Sequence, residues 1–479
     1  MKRKAGMIFP LSGLPSEEGI GTLGLGTIGF LDFLKDCGFR QWQLLPLTIP
    51  DPFFSPYMSP CTMAGNPNYI DLRLLERQGL IKNYSGFHGK KDKVDFQWLK
   101  KKRYYLKEGF KHFKDKGDLQ DFIDREKSWI MDFCSYQVLC KKYGADWRKW
   151  EEKYKYRDVE ALKELEKEEA FTFEVFLQYI FYVQYEEIRE EARIREIEMI
   201  GDLPYSCPVT AMEVWKNPEY FSLDKDGRIL HELGAPPDLF SSQGQSWGSP
   251  CYNFKRQKED DFIFWKERFG HMITHYDGFR VDHFRGYESY WSIPFGDKPK
   301  EGRRVKVPGK KLLLELEKEF GRLPIYVEDL GALTKEFNLF MKEWEYPGMN
   351  VLEFAFDGED SIYLPHYHSK NSISISGTHD NPPFLLWWEE RSKEVKCRIQ
   401  NYFGFHEDEI LEGLLRGVFS SVSYWAFIQL GDLLSKEDTF RINTPGTIGD
   451  NWIYRVDGDQ LQEGLAKKVR KLLERYGRV

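Results

Sequence analysis

Four short segments end in carboxylates that chemistry could use. The most informative is Gly278-Phe279-Arg280-Val281-Asp282-His283-Phe284-Arg285, an apolar start that gives way to dense charge. Side chains on a strand alternate with period two, so Arg280 and Asp282 share a face. A neighbouring cation lowers a carboxylate pKa. The spacing therefore predicts an Asp282 held ionised and rigid, as a carboxylate nucleophile must be. Taken alone, the segment equally fits a structural arginine–aspartate pair. Residues 323–331 end in Glu328-Asp329-Leu330-Gly331, residues 373–381 in Thr378-His379-Asp380-Asn381, and residues 198–204 in Gly201-Asp202-Leu203-Pro204.

The elements that must position these groups follow from the same four runs. Each is short, rich in apolar or β-branched residues, and acidic at its C-terminal end, and they recur one or two βα units apart. In a (β/α)8 barrel the strand ends converge on one face, and catalytic groups come from several strands. The fold class expected is α/β: a (β/α)8 TIM barrel with inserted, mainly helical subdomains and no separate C-terminal β-domain.

The four segments resemble the sequence regions shared by the α-amylase superfamily, in the form found in its amylomaltase branch, the 4-α-glucanotransferases or disproportionating enzymes. In that branch a histidine follows the aspartate directly, as His283 does here; the Lys-His pair of ordinary α-amylases is missing. Further segments agree: Gly19-Ile20-Gly21-Thr22-Leu23-Gly24, Trp42-Gln43-Leu44-Leu45-Pro46-Leu47, Ser55-Pro56-Tyr57, Gly65-Asn66-Pro67, Pro236-Pro237-Asp238, Gly244-Gln245-Ser246-Trp247-Gly248 and Asn443-Thr444-Pro445-Gly446-Thr447. The resemblance runs from about residue 8 to about residue 455.

It implies a retaining mechanism, which needs two carboxylic groups about 5–5.5 Å apart, one ionised and one protonated. By resemblance Asp282 is the nucleophile, Glu328 the general acid/base and Asp380 the third carboxylate. Glu328 follows an apolar run, where desolvation would favour the protonated acid. The substrate-binding residues implied are Tyr57, stacking on a sugar, Asp202, Asp238 and Trp247 in a flap over the acceptor sites, Arg280, His283 and His379 around the nucleophile, and Asn443 reaching a sugar hydroxyl. Asp277 and Asp329 read as structural. The activity implied moves a segment of an α-1,4-glucan to the 4-hydroxyl of glucose or another glucan. Its partners would be maltooligosaccharides, amylose or glycogen-derived glucans. A hydrolase on the same scaffold, or a non-catalytic glucan-binding protein, are the alternatives. Two stretches depart from the branch. Thr210-Ala211-Met212-Glu213 replaces a doubly acidic motif, and Pro382-Pro383-Phe384 replaces an acid and a threonine after Asn381.

Composition narrows the rest. At 479 residues, with 41% hydrophobic and 16% aromatic residues, the chain has enough apolar material for a barrel with insertions. A net charge of −7 argues against a nucleic-acid partner, which leaves a basic footprint. The seven cysteines are scattered without metal-ligand spacing, so no metal or cofactor is expected and the compartment reads as reducing. No signal peptide or membrane span is legible at the N-terminus or beyond, which points to the cytoplasm.

One catalytic domain is expected over residues 1–479, with a helical insertion at about 75–170 and an irregular active-site loop region at about 205–255. The proline-rich loop 48–63 cannot be strand interior. Phe173, Phe176, Leu177, Ile180, Phe181 and Ile188 form one helical stripe. After residue 256 the pattern predicts helices at 257–272, 308–320, 334–345, 383–400 and 458–476, and strands at 276–282, 324–329, 350–356 and 372–378.

Overall fold

The computed structural model describes residues 2–87, 89, 91–237, 243–331, 334–358, 360–434 and 440–479. Among them, eight parallel strands form one sheet: β1 (Lys4–Ile8), β2 (Gln41–Gln43), β3 (Glu198–Leu203), β4 (Gly278–Val281), β5 (Ile325–Val327), β6 (Gly348–Val351), β7 (Ser372–Ile375) and β8 (Trp425–Gln429). Neighbours pair in chain order, and β8 pairs with β1. Between β5 and β6 the ring is closed by the Val327 amide on the Pro347 carbonyl (2.9 Å) and the Met349 amide on Asp329 Oδ1 (2.8 Å). At the start of β4, Asp277 accepts from the Met199 amide of β3 at 2.8 Å. This is the (β/α)8 barrel expected from the four acidic strand ends.

Strand alternation divides the core in two. Met7, Met199, Phe279 and Val281 point outward to the helices, while Ile8, Ile200, Tyr326, Met349, Val351, Ile373, Ile375 and Phe427 fill the interior. Gly6 faces Phe427 across the β1–β8 ladder, and a Cβ there would sit 2.2 Å from the phenyl ring. Glycine at this position lets the ring occupy the barrel axis.

The helices around the ring include Leu25–Cys37, Ile263–His275, Gly309–Phe320 and Lys335–Trp344. The 26-residue helix Glu169–Ile194 buries the predicted stripe, with Phe173 and Phe176 packed on Phe110 and Phe113 of the insertion rather than on the barrel alone. The insertion is helical, with Phe96–His112, Lys116–Arg125, Ile130–Tyr143, Glu152–Lys155 and Val159–Glu166. Asp95, Asp115 and Asp158 cap three of these helices through side-chain bonds to first-turn amides.

Several boundaries differ from the sequence expectation. The 257–272 helix is two, Phe254–Glu259 and Ile263–His275, separated by Asp261 and Phe262 at positive φ. The 383–400 helix is also two, because Ser392 caps a second one, Lys393–Phe403, through the Val395 amide. Strand β6 stops at Val351, and a 3-10 turn over Leu352–Phe354 follows. The region expected as irregular loop contains His231–Ala235 and Gln245–Pro250, which join Ser289–Pro294 and Arg303–Lys306 in a four-stranded antiparallel sheet. This piece is therefore β sheet, not irregular loop. Its strands are short, and their burial patterns lack clean alternation, so period-two reading finds no signal there.

Replacing Gly6 by alanine must displace Phe427. Overpacking of this kind costs about 1–3 kcal/mol. Urea unfolding of the Gly6→Ala protein should show that loss, and an unchanged midpoint would mean the barrel axis tolerates the methyl group.

Candidate active site

The C-terminal ends of the strands open into a cleft of about 860 Å³. Its walls include Asp282, Glu328, Asp380, His283, His379 and Tyr57, brought together from four separate segments. Beneath them lies Arg280. Its register partners are Asp202 on β3 and Tyr326 on β5, so the guanidinium stands between two strands inside the ring. Its side chain is 3% exposed. Nη1 donates to both oxygens of Asp202 at 2.8 Å. Nη2 donates to Asp282 Oδ1 at 2.9 Å and to Glu328 Oε2 at 2.8 Å.

One nitrogen thus bridges the two carboxylates, and their oxygens can be no further apart than those two distances laid end to end. That sets an upper bound close to the separation of about 5–5.5 Å that a retaining pair uses. Asp282 and Glu328 keep 26% and 23% of their side chains exposed, so both are reachable from the cleft. Asp202, by contrast, is fully buried and absent from the cleft wall. The expectation that it binds substrate directly is corrected: it accepts from Arg280 and, at 2.7 Å, from the Tyr57 hydroxyl.

His283 takes the left-handed conformation, φ +42°, directly after the strand. A non-glycine residue adopts this at a cost of roughly 1–2 kcal/mol. The turn aims two successive amides at residue 328: His283 N–H at Glu328 Oε2 (2.9 Å) and Phe284 N–H at its carbonyl (3.1 Å). Glu328 is therefore gripped by donors rather than surrounded by apolar side chains, as the run before it had suggested.

The expected lowering of the Asp282 pKa is also corrected. Burial pushes it up to about 6, with Arg280 opposing and Glu328 adding to the rise. Burial likewise raises Asp202, to about 7, against the pull of Arg280. Burial lowers His283 to about 4 and lowers His379, so both imidazoles are neutral at pH 7.

On the opposite wall, the Tyr57 ring stacks on His379 at 4.8 Å and 16°. Asn443 Nδ2 donates to Asp380 Oδ1 at 2.6 Å, and the Asn443 amide donates to the His379 carbonyl at 3.1 Å. Trp247 meets the His283 ring edge-on at 4.8 Å, beside the nucleophile candidate. Asp238 lies outside the described residues. Pro382, one of the sequence departures, lines the cleft beside Asp380; Thr210, in the other, does not.

Three cleft residues escaped the sequence reading. Arg441 donates to the Asp380 carbonyl (3.1 Å) and the Asn443 carbonyl (3.0 Å), tying those two loops together. Trp452, at φ +67°, tilts against both Tyr57 and His379. Glu353 is buried and accepts from Asn381 Nδ2 at 2.9 Å; Asn381 in turn caps the Thr378 amide. Burial raises the Glu353 carboxyl well above the usual range. Glu353 carries the signal that marked Glu328, an apolar run ending in an acid. Extending that strand to 356 hid it.

A family profile described as 4-alpha-glucanotransferase matches residues 9–461. A 4-alpha-glucanotransferase of Aquifex aeolicus is 38% identical over 99% of this chain and 99% of its own length. One from Clostridium butyricum is 35% identical over 98% of this chain and 99% of its own. The solved structure of the Streptococcus agalactiae amylomaltase in complex with acarbose superposes with a TM-score of 0.95 at 34% identity, covering 100% of both chains.

Removing Arg280 strands the carboxylate of Asp202 in the barrel. Breaking a buried pair from one side costs about 3–5 kcal/mol. Arg280→Ala should lose that much in denaturant unfolding, and Arg280→Ala combined with Asp202→Ala should recover part of it. A double variant no more stable than the single one would contradict this pairing.

Proposed function

The chain belongs to the 4-alpha-glucanotransferase family and is an enzyme of that activity acting on glucans; within that activity we propose that Asp282, Glu328 and Asp380 carry out a retaining double displacement. The observation that supports the assignment is the shared Arg280 nitrogen, which holds the carboxylates of Asp282 and Glu328 side by side under the cleft.

In the first half-reaction Asp282 attacks the anomeric carbon of an α-1,4-linked glucan. Glu328 gives its proton to the departing 4-oxygen, and a β-linked glucosyl-enzyme forms. In the second, Glu328 takes the proton from the 4-hydroxyl of an acceptor glucan, which displaces Asp282 and restores the α-1,4 bond. The glycosidic bond is conserved through the ester, so no nucleotide-activated donor enters. Asp380, fixed by Asn443, binds sugar hydroxyls and opposes the positive charge growing on the ring. Neutral His283 and His379 donate hydrogen bonds to the same sugar, and Tyr57 and Trp247 supply aromatic wall. Transfer outruns hydrolysis when the acceptor is held in place, because positioning offsets the entropy of a bimolecular step. Maltooligosaccharides, amylose and glycogen-derived chains are the donors that fit this cleft, with glucose the smallest acceptor.

All seven cysteines are free, and five are buried, which favours a reducing compartment such as the cytoplasm. Among the described residues no helix is long and apolar enough to cross a membrane.

Maltotriose incubated with the protein should yield glucose and a ladder of longer maltooligosaccharides with little net gain in reducing ends. The Asp282→Asn protein should lose the ladder by several orders of magnitude. The ionised form of Asp282 is the nucleophile and its pKa stands near 6, so kcat/KM should fall about tenfold per pH unit below that point. Near-normal turnover by Asp282→Asn, or a flat profile from pH 7 to 4.5, would contradict the assignment.

A further inference from the structure

A second group of functional side chains lies outside the barrel, and none of its residues lines the cleft. His271 and His275 stand one turn apart on the helix Ile263–His275, with ring centroids 4.5 Å apart. Facing them is Glu126, which ends the inserted helix Lys116–Arg125. One ligating atom from each of the three lies within 4.8 Å of the others. For atoms bonded to one tetrahedral ion the spacing is about 3.4 Å, from metal–ligand bonds of about 2.0–2.2 Å. Small side-chain rotations cover the difference.

We infer that Glu126, His271 and His275 bind one zinc-class divalent cation, which fastens the inserted helices to the barrel. Two imidazoles and a carboxylate are the donors such an ion takes, and they leave a coordination position for water. The surroundings match a ligand shell. Each imidazole has one nitrogen already engaged and one remaining for an ion. His271 Nε2 meets the Tyr182 hydroxyl at 3.2 Å, and His275 Nδ1 meets Glu186 Oε1 at 3.4 Å. Partners of this kind orient metal-binding histidines and raise their basicity. Trp129 Nε1 holds Glu126 Oε2 at 2.9 Å. Arg125 approaches Glu126 Oε1 at 3.3 Å, but its side chain is 63% exposed and free to swing out.

The three residues line a concavity of about 580 Å³, wide enough to admit a hydrated ion. Its other charged walls are Asp260, Glu267 and Glu319 against Arg125 and Lys266, a balance that favours a cation. The site joins residue 126 to residues 271 and 275, segments far apart in sequence. An ion there would restrain the insertion from leaving the barrel helix, with no part in the glucan chemistry. Glu126 is so distant in the chain that spacing rules could not group it with the histidines.

The test titrates Zn²⁺ alone into the chelator-stripped full chain by calorimetry. One ion per chain is expected, together with a higher melting temperature and unaltered transferase rate. His271→Gln/His275→Gln should bind at least 100-fold more weakly. Glu186→Gln, which removes only the partner of His275, should lose about 10–100-fold. X-ray absorption on the zinc-loaded native protein keeps the test independent of how the variants fold, and should report two imidazoles per zinc. No binding by the native chain, undiminished binding by the double variant, or sulfur ligands at the zinc would each overturn the proposal.

Discussion

A guanidinium buried to 3% exposure must place its donors on acceptors inside the protein, and Arg280 places them on carboxylates from three consecutive positions around the ring. That requirement sets much of the active face. It fixes the register of β3 against β4, since Asp202 must sit opposite Arg280. It fixes the separation of Asp282 and Glu328, because one nitrogen serves both. It also reaches the opposite wall, because the Tyr57 hydroxyl completes Asp202 and the Tyr57 ring orders His379. A lysine could not replace this geometry, since an ammonium lacks the planar fork that reaches two carboxylates on one side and a third on the other.

The arrangement has an electrostatic cost. Three carboxylates converge on one cation in a buried setting, so burial and mutual repulsion raise both Asp202 and Asp282. Asp282 has a folded pKa near 6, above the ordinary value of about 3.9. Its contribution to stability is therefore lost as pH rises through about 6, and its ionised form at neutral pH is held against the folding equilibrium. His283 adds backbone strain at the adjacent position, and its two-amide grip on residue 328 depends on it. Such strain persists where surrounding bonds over-determine it. Asp380 is held differently, through loops: Asn443, Arg441, and the chain from buried Glu353 through Asn381 to Thr378.

The barrel and its acidic strand ends were legible because each run is short, apolar and punctuated by charge. The proximity of Arg280 and Asp282 followed from strand parity alone. What parity could not show was the environment. The pKa of Asp282 depends on how completely the ring desolvates it, and Asp202 is hidden beneath Tyr57, from the loop after the neighbouring strand β2. The antiparallel sheet over residues 231–306 left no trace because its strands are short and lack clean alternation. Arg441 and Trp452 stood on loops without periodicity, so only the folded chain brings them to the cleft. Glu353 was readable and was lost to a strand end placed five residues too far.

The most direct measurement is the identity of the carboxylate that becomes glucosylated. Glu328→Gln protein, slowed in the second half-reaction, is treated with a maltosyl fluoride of α configuration, which needs no acid to leave. Peptide mass mapping then locates the added sugar. Attachment to Asp282 is the expected result, with Arg280→Lys reducing its yield. A stable adduct on Asp380 or Asp202, or turnover of the fluoride with inversion of configuration, would contradict a retaining centre organised by Arg280.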